Sequence, residues 1–366
     1  LLPGFVNSHV HLGESVYFPF INKKLSLSGY LERTEELYVS NEEIGKKRDL
    51  VCKFSLYQLI RNGVTAIGGG RVTETATEFQ IPNTSGYMLM NSAKLGHFSS
   101  NAHDNFLKTK NEEDNILNRH CIFIHSLSRI GKDEIDVVKK LKHELHDLMV
   151  MIHVEEDESE SNIVREKWGS SSIQVLENEG ILDSKTFLIH GNYLSDSDLD
   201  IIANSGATIC HCVTSNLTVA DRVLDITKAL ERKINLVVAT DGPITGAGFN
   251  ILNEVRKVYQ YQNRFVDAEK VSPQKCLDMI TINPANAIGQ SEVSGSIEAG
   301  KLANFVIFEP PFEVKPQEIV NMLIRYELID VFGVVINGER VVWDRNLIVE
   351  DWEKTRLAFS SLIESI

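Results

Sequence analysis

Eight times along the chain, a short apolar run rich in β-branched residues ends in polar or glycine residues and gives way to a segment with helical spacing. The runs occupy residues 4–12, 64–70, 85–93, 120–127, 148–156, 186–193, 207–213 and 235–242. Strands separated by helices lie parallel, because each return must cross over the sheet, and eight such α/β units close a (β/α)8 TIM barrel. The competing arrangement is an open, doubly wound sheet. No Gly-x-Gly-x-x-Gly turn follows the first run, so a dinucleotide-binding fold has weak support.

The connecting segments fit helices. Residues 40–62 open with Ser40-x-x-Glu43, the pattern of a capping box, and stop at Gly63. Residues 132–148 place Ile135, Val138, Leu141, Leu145 and Leu148 along one stripe. Beyond the barrel the pattern changes. Residues 294–310 and 333–346 are alternating or β-branched and are broken by Asn-Gly and Asp-Arg-Asn turns, which predicts antiparallel hairpins. The expected organisation is a barrel over 4–292, a small β-sandwich from 1–3 and 293–350, and a C-terminal helix over 351–366. The chain starts without Met and almost inside the first run, so the rest of the sandwich's N-terminal part is expected upstream of Leu1.

Composition removes several classes of function. A formal charge of −14 repels phosphate backbones, so no nucleic-acid partner is expected. No apolar run approaches the roughly 18 to 20 residues that span a bilayer, so no membrane partner is expected either. The five cysteines (Cys52, Cys121, Cys210, Cys212, Cys276) are an odd number with no secretory signal peptide, which predicts reduced thiols in a cytoplasm. Cys210-His211-Cys212 lacks the spacing of a zinc knuckle and has no second pair, and reads as buried strand thiols.

In a parallel barrel the chemistry collects at the C-terminal ends of the strands. Those ends carry His9 and His11, His125, His153 with Glu156, His190, and Asp241, which is five of the eleven histidines and two acids. His9 and His11 are two residues apart, so in a strand their rings share a face. Neutral imidazoles with a carboxylate suit Zn²⁺ or Fe²⁺. His9, His11, His153 and Asp241 can surround one such ion and leave a position for water, whose pKa the ion lowers. Glu156, three residues past His153, is placed to shuttle a proton. Taken singly, these are a polar His pair, a solvated acidic loop and an Asp-Gly-Pro turn; their joint placement at matching strand ends favours a metal site. His143 and His146 read as surface residues, and His97, His103 and His120 carry no strand-end argument.

Over nearly the whole chain these residues resemble the amidohydrolase superfamily, in its branch of metal-dependent aromatic deaminases and triazine hydrolases. PGFVNSHVHLGES is similar to the family's first-strand signature, IHVEE to its fifth-strand His-x-x-Glu, FLIHGNY to its sixth-strand His, HCVTSN to its seventh strand and ATDGP to its eighth. TINPANAIG with GSIEAGKLANFVIFE resembles its last helix and return to a β-sandwich. The resemblance implies that His9, His11, His153 and Asp241 bind metal, that Glu156 is the general acid/base, and that His190 orients the attacked carbon and the water. IHSLSRIGKDEI resembles the fourth-strand segment, which puts His125 against the substrate. Ile124 and Val213 stand where this branch usually has Pro. Two-metal members carry a carboxylated lysine on strand four; HCIFIHSL has no Lys, so one ion is expected, zinc with iron as the other choice. A homodimer is expected from the family alone.

The reaction implied is hydrolytic deamination. Metal-activated water attacks an amino-bearing sp² carbon of a nucleobase, nucleoside or pterin, aligned by His190 and Asp241, while protonated Glu156 donates to the adjacent ring nitrogen and ammonia leaves. Displacement of chloride from a triazine, and hydrolysis of an amide or lactam, use the same machinery and stay open, as does a catalytically dead metabolite-binding scaffold. Gly68-Gly69-Gly70-Arg71 follows the second run, where glycines let a ligand approach the backbone and Arg71 meets an anionic or carbonyl group, or else faces solvent. Phe18, Phe20 and Tyr30 wall the pocket or belong to the core.

Overall fold

The computed structural model describes residues 1–21, 24–69, 76–77, 79–91, 101–246, 248–266, 270–326 and 329–366. After a two-residue strand β1 (Leu2–Pro3), which belongs to a separate sheet, eight parallel strands stand at the eight apolar runs: β2 (Phe5–Val10), β3 (Val64–Gly69), β4 (Asn83–Leu89), β5 (Asn118–Ile124), β6 (Val150–Val154), β7 (Thr186–His190), β8 (Thr208–His211) and β9 (Asn235–Val238). They pair in sequence order from β2 to β9. Helices follow the strands, and the sheet curls into the barrel that the alternation predicts.

Period two sorts each strand. In β6, Val150, Ile152 and Val154 join the apolar shell beneath the helices, whereas Met151 packs inside the barrel with Phe123, Phe187, Ile189, Cys210 and Ala239. His153 continues the Met151 face and therefore emerges above this inner plug. In β2 the pairing with β3 slips between Asn7 and Val10, which allows Val6 and His9, three residues apart, to face inward together.

Among the described residues no ladder joins β9 to β2, and a side chain spans that seam instead. Asn7 Nδ2 donates to Thr240 Oγ1 at 2.7 Å, Asn7 Oδ1 accepts from Thr240 N at 3.2 Å, and Asp241 N donates to His9 O at 3.2 Å. The closure of the barrel thus runs through the residues beside the metal-binding candidates.

One helix boundary differs from the sequence expectation. Residues 40–62 form two helices, Glu42–Lys46 and Arg48–Arg61, and Ser40 ends the preceding helix Leu27–Ser40. The cap is Asn41, whose side chain accepts from Glu43 N at 3.1 Å. An equally good cap one residue on displaces the Ser-x-x-Glu pattern. Gly63, with φ +87°, stops the second helix as expected. Helix Lys132–Glu144 buries Ile135, Val138 and Leu141 and ends before Leu145 and Leu148.

The second sheet is antiparallel and joins both ends of the chain: β1 pairs with β10 (Phe305–Phe308), followed by β11 (Val331–Ile336), β12 (Glu339–Trp343) and β13 (Asn346–Leu347). The β11–β12 turn is Asn337-Gly338, with φ of +51° and +85°, the left-handed pair that matches the twist of a hairpin. Helix Trp352–Ser365 then returns to the barrel, where Phe359 stacks on Phe54 with ring centres 3.9 Å apart and clusters with Val16 and Tyr17. No helix of the described residues is long and apolar enough to cross a membrane.

Candidate metal centre and active site

His9, His11, His153 and Asp241 each offer one ligand atom, and these atoms lie within 4.8 Å of one another. His9 Nε2 is 3.2 Å and His11 Nε2 3.1 Å from Asp241 Oδ1, and His9 Nε2 is 3.2 Å from His153 Nε2. The tautomer of His153 is fixed from behind. Its Nδ1 donates to the carbonyl of His125 at 2.7 Å, so Nε2 presents a lone pair to His9. Burial pulls His9 down to about 4 and His153 well below the usual imidazole range, which keeps both neutral as metal ligands must be. Burial opposes ionisation of Asp241, but its contacts with His11 and His9 outweigh that and hold its carboxyl well below the usual range. Burial likewise opposes charge on His11, yet Glu14 and Asp241 raise it to about 9. The lone pairs of His9 and His153 and the Asp241 carboxylate converge on one point and draw positive charge there, which either a proton on His11 or a cation in its place supplies. The residues therefore fit a divalent cation.

Glu156, His190 and Asp241 form a second convergence. His190 Nε2 stands 3.5 Å from Glu156 Oε1 and 4.0 Å from Asp241 Oδ2. Strict alternation along β7 would turn His190 outward beside Leu188, and its φ of +76° breaks the alternation. Asp241 (φ +59°) and Glu155 (φ +49°) also adopt the left-handed backbone, at roughly 1 kcal/mol or more each for a side chain of this kind. Three such residues at the strand ends are local strain held in place by the surrounding structure. Glu155 is anchored by Arg165 Nη2 at 2.9 Å and by Ser172 N at 3.0 Å, and Asp157 caps helix Glu158–Trp168 by accepting from Glu160 N at 2.7 Å. Glu156, between them, is buried; burial first, then the charges of Asp241 and Asp157, push its carboxyl well above the usual range, which favours its protonated form.

Several partners in this site were not visible in the sequence. Asn216 Oδ1 accepts from His190 Nδ1 at 2.8 Å, which leaves His190 Nε2 as the nitrogen with the lone pair. Thr245 Oγ1 donates to Asp241 Oδ2 at 3.3 Å. Glu14 Oε1 lies 3.7 Å from His11 Nδ1, and its other carboxylate oxygen occupies the space over Gly242.

The remaining candidates divide. His125 is half-buried with its ring centre 5.2 Å from that of His153, and desolvation, with Arg129 adding, lowers it to about 3. Arg71 and Gly70 lie outside the described residues. Gly68 and Gly69 are not an opening for a ligand: a Cβ at Gly68 would meet the carbonyl oxygen of Ser8 at 2.7 Å, and one at Gly69 would meet His9 Nδ1 at 3.0 Å. Their glycines let β3 pack closely on β2. Tyr30 is core, Phe20 packs against the Val16–Tyr17 cluster, and Phe18 is 57% exposed. Cys210 and Cys212 are buried and unbridged, with Sγ atoms 3.9 Å apart. His143 and His146 are exposed, His103 pairs with Asp104 and Glu144, His120 pairs with Glu113 and Asp114, and His97 lies outside the described residues.

A sequence profile described as "Amidohydrolase family" matches residues 1–341. The chain belongs to the amidohydrolase family. This amidohydrolase is 25% identical over 375 residues to the 5-methylthioadenosine/S-adenosylhomocysteine deaminase of Clostridium tetani, covering 100% of this chain and 86% of that one. It is 33% identical over 210 residues to the protein of the same name from Pyrococcus abyssi, covering 56% and 49% of the two chains. Its fold resembles a zinc-bound adenosine deaminase from Xanthomonas campestris, with a TM-score of 0.89 at 19% identity over 100% of this chain and 86% of that one. It also resembles a mutant atrazine chlorohydrolase from Arthrobacter aurescens complexed with zinc and atraton, with a TM-score of 0.85 at 19% identity over 99% and 88%. At these identities the two likenesses speak to the fold.

Proposed function

We propose that this amidohydrolase is a metal-dependent hydrolytic deaminase that releases ammonia from an amino-substituted heterocycle of the nucleobase, nucleoside or pterin type. The observation that carries the reading is the buried Glu156 carboxyl, 3.5 Å from His190 Nε2 and converging with Asp241, directly next to a four-ligand cluster. His9, His11, His153 and Asp241 would hold one ion, zinc in our reading with iron(II) accepting the same donors, and a bound ion supplies the acidity that makes water nucleophilic near neutral pH.

The protein's own groups do the rest. Water adds its oxygen to the amino-bearing carbon, and the proton it gives up is received at Asp241 Oδ2 or His190 Nε2, the two acceptors that face that side. Glu156 donates its proton to the ring nitrogen next to the attacked carbon, so the ring carries no net charge as the C–O bond forms. The proton taken from water then passes to the departing amino group, ammonia leaves with the electron pair of the C–N bond, and as the added oxygen becomes a carbonyl its remaining proton returns to Glu156. His190, its Nδ1 fixed by Asn216, keeps the same nitrogen toward this exchange throughout. His125 lines the site beside His153 as a substrate contact.

Chloride displacement from a triazine is the less favoured reading, because relatives matched along the chain are deaminases by name. The five buried, unbridged cysteines support a cytoplasmic setting. The test is ammonia release from aminated purines, pyrimidines, pterins, adenosine-type nucleosides and triazines by protein of assayed metal content. Ammonia from one class, abolished by chelation, is the expected result. Silence across the panel from protein with one ion per chain would reject deamination.

A further inference from the structure

We propose that Asn192 is a positioning residue that sets where the Glu156 carboxyl stands, reaching it from the loop beyond β7. The proposal rests on the reading of Glu156 as the proton donor. The β6–β7 ladder ends at the pair Val154 and His190. Past that point two backbone rungs continue it irregularly: Gly191 N donates to Val154 O at 2.9 Å, and Tyr193 N donates to Glu155 O at 3.2 Å. At Glu156 a side chain takes over. Asn192 Nδ2 donates to Glu156 O at 2.9 Å, between residues 36 apart in sequence. A carbonyl only accepts, so the amide of Asn192 must present its nitrogen here.

Asn192 is itself held. It is 4% exposed, and its backbone carbonyl accepts from Arg222 Nε at 3.0 Å, while the guanidinium of Arg222 lies 4.1 Å from the ring centre of Tyr193. A chain of contacts therefore runs from the segment that follows helix Val213–Val219, through the loop after β7, to the loop after β6. Its end point is the peptide of the one carboxylic acid that must meet the substrate at hydrogen-bond distance. That peptide needs a hold, because Glu155 just before it is in the left-handed region. Glu155 is tied on one side by Arg165 and Ser172, and Asn192 ties the Glu156 side. Misplacing a reacting group by about 1 Å is enough to cost about 10²-fold in rate.

The experiment combines Asn192→Ala and Asn192→Leu, both of which remove the donor and the second of which keeps most of the volume, with Glu156→Gln. In the otherwise unchanged enzyme, each Asn192 variant is expected to lose about 10²-fold in kcat, with KM within about threefold and metal content unchanged. In the Glu156→Gln background, with turnover followed over long incubations, the same changes are expected to cost less than about twofold, because the group they position is already gone. Equal losses in both backgrounds, a loss carried by KM, or a loss of bound metal would overturn the proposal. Full turnover in Glu156→Gln alone is a separate result, which removes Glu156 as the proton donor and with it the group that Asn192 is said to position.

Discussion

Asn216 fixes His190: its Oδ1 accepts from His190 Nδ1 at 2.8 Å, and its Nδ2 faces His211 Nδ1 at 3.5 Å. The three side chains form a buried line in which the tautomer of the outermost imidazole is set by an amide. Asn216→Leu removes the acceptor and lets the proton of His190 move to Nε2, where it blocks the position that receives a proton from water. The expected result is a loss of about tenfold to a hundredfold in kcat. Metal content and substrate KM should stay close to those of the parent. Steady-state kinetics with metal analysis of the same samples checks this.

The cluster of His9, His11, His153 and Asp241 predicts that metal and stability are linked. Dialysis against a chelator should abolish turnover and lower the melting temperature. Zinc at about a hundred times its Kd should raise folding stability by about 2.7 kcal/mol over the metal-free protein. His153→Ala should lose both effects, whereas Glu156→Gln should keep the thermal response to metal and lose turnover. A melting curve that ignores zinc in the parent protein would contradict the ligand set.

Gly242 has no φ constraint; its constraint is space. A Cβ there would stand 1.8 Å from Glu14 Oε2. Gly242→Ala must therefore displace the Glu14 carboxylate, which lies 3.7 Å from His11 Nδ1, or move the backbone next to Asp241. The expected outcome is weaker metal retention in a chelator titration, by about tenfold or more, as for other groups behind a metal-ligating imidazole. Adding Glu14→Ala to Gly242→Ala relieves the clash, so the double variant should lose less than the sum of the two single changes.

His211 supplies a pH prediction. Burial lowers it to about 3, so the folded protein leaves it neutral where the unfolded chain, with an ordinary imidazole, takes up a proton. Stability is then full above the ordinary pKa of 6.5 and falls as pH drops from there toward 3. This one residue contributes a slope of up to about 1.4 kcal/mol per pH unit. Chemical denaturation at several pH values should give a shallower acid slope for His211→Gln than for the parent. Equal slopes would mean that His211 is protonated in the folded state.

The barrel and the metal-site candidates were legible in the sequence because both follow from local pattern. Eight β-branched runs bounded by polar residues gave the eight strands, and period two along β6 was enough to set His153 on the inner face. His9 and His11 share a face for the same reason. What sequence could not show falls into three kinds. The start of the helix at Glu42 turned on a competition between adjacent caps, Ser40 and Asn41, that a pattern match cannot decide. The partners Asn216, Asn192 and Glu14 are ordinary polar residues in loops and turns. Their importance lies in contacts 26 and 36 residues away for the two asparagines, and in a hole left by Gly242 for the glutamate. The inward turn of His190 is a third case. Strand parity pointed it the wrong way, and only its left-handed backbone brought it to the site.

The seam between β2 and β9 also dictates when the site can exist. His9 and Asp241 are 232 residues apart, and Leu2 and Pro3 pair with Val306 and Phe305. During synthesis the first two imidazoles emerge from the ribosome long before the strand that completes their surroundings. At ordinary elongation rates of about 5 to 20 residues per second, that interval is on the order of ten seconds or more. Through it, an apolar strand with no neighbour on one side must be kept from other partners. Enzymatic turnover is consequently a late signal in the life of the chain, one that only a fully closed barrel can give.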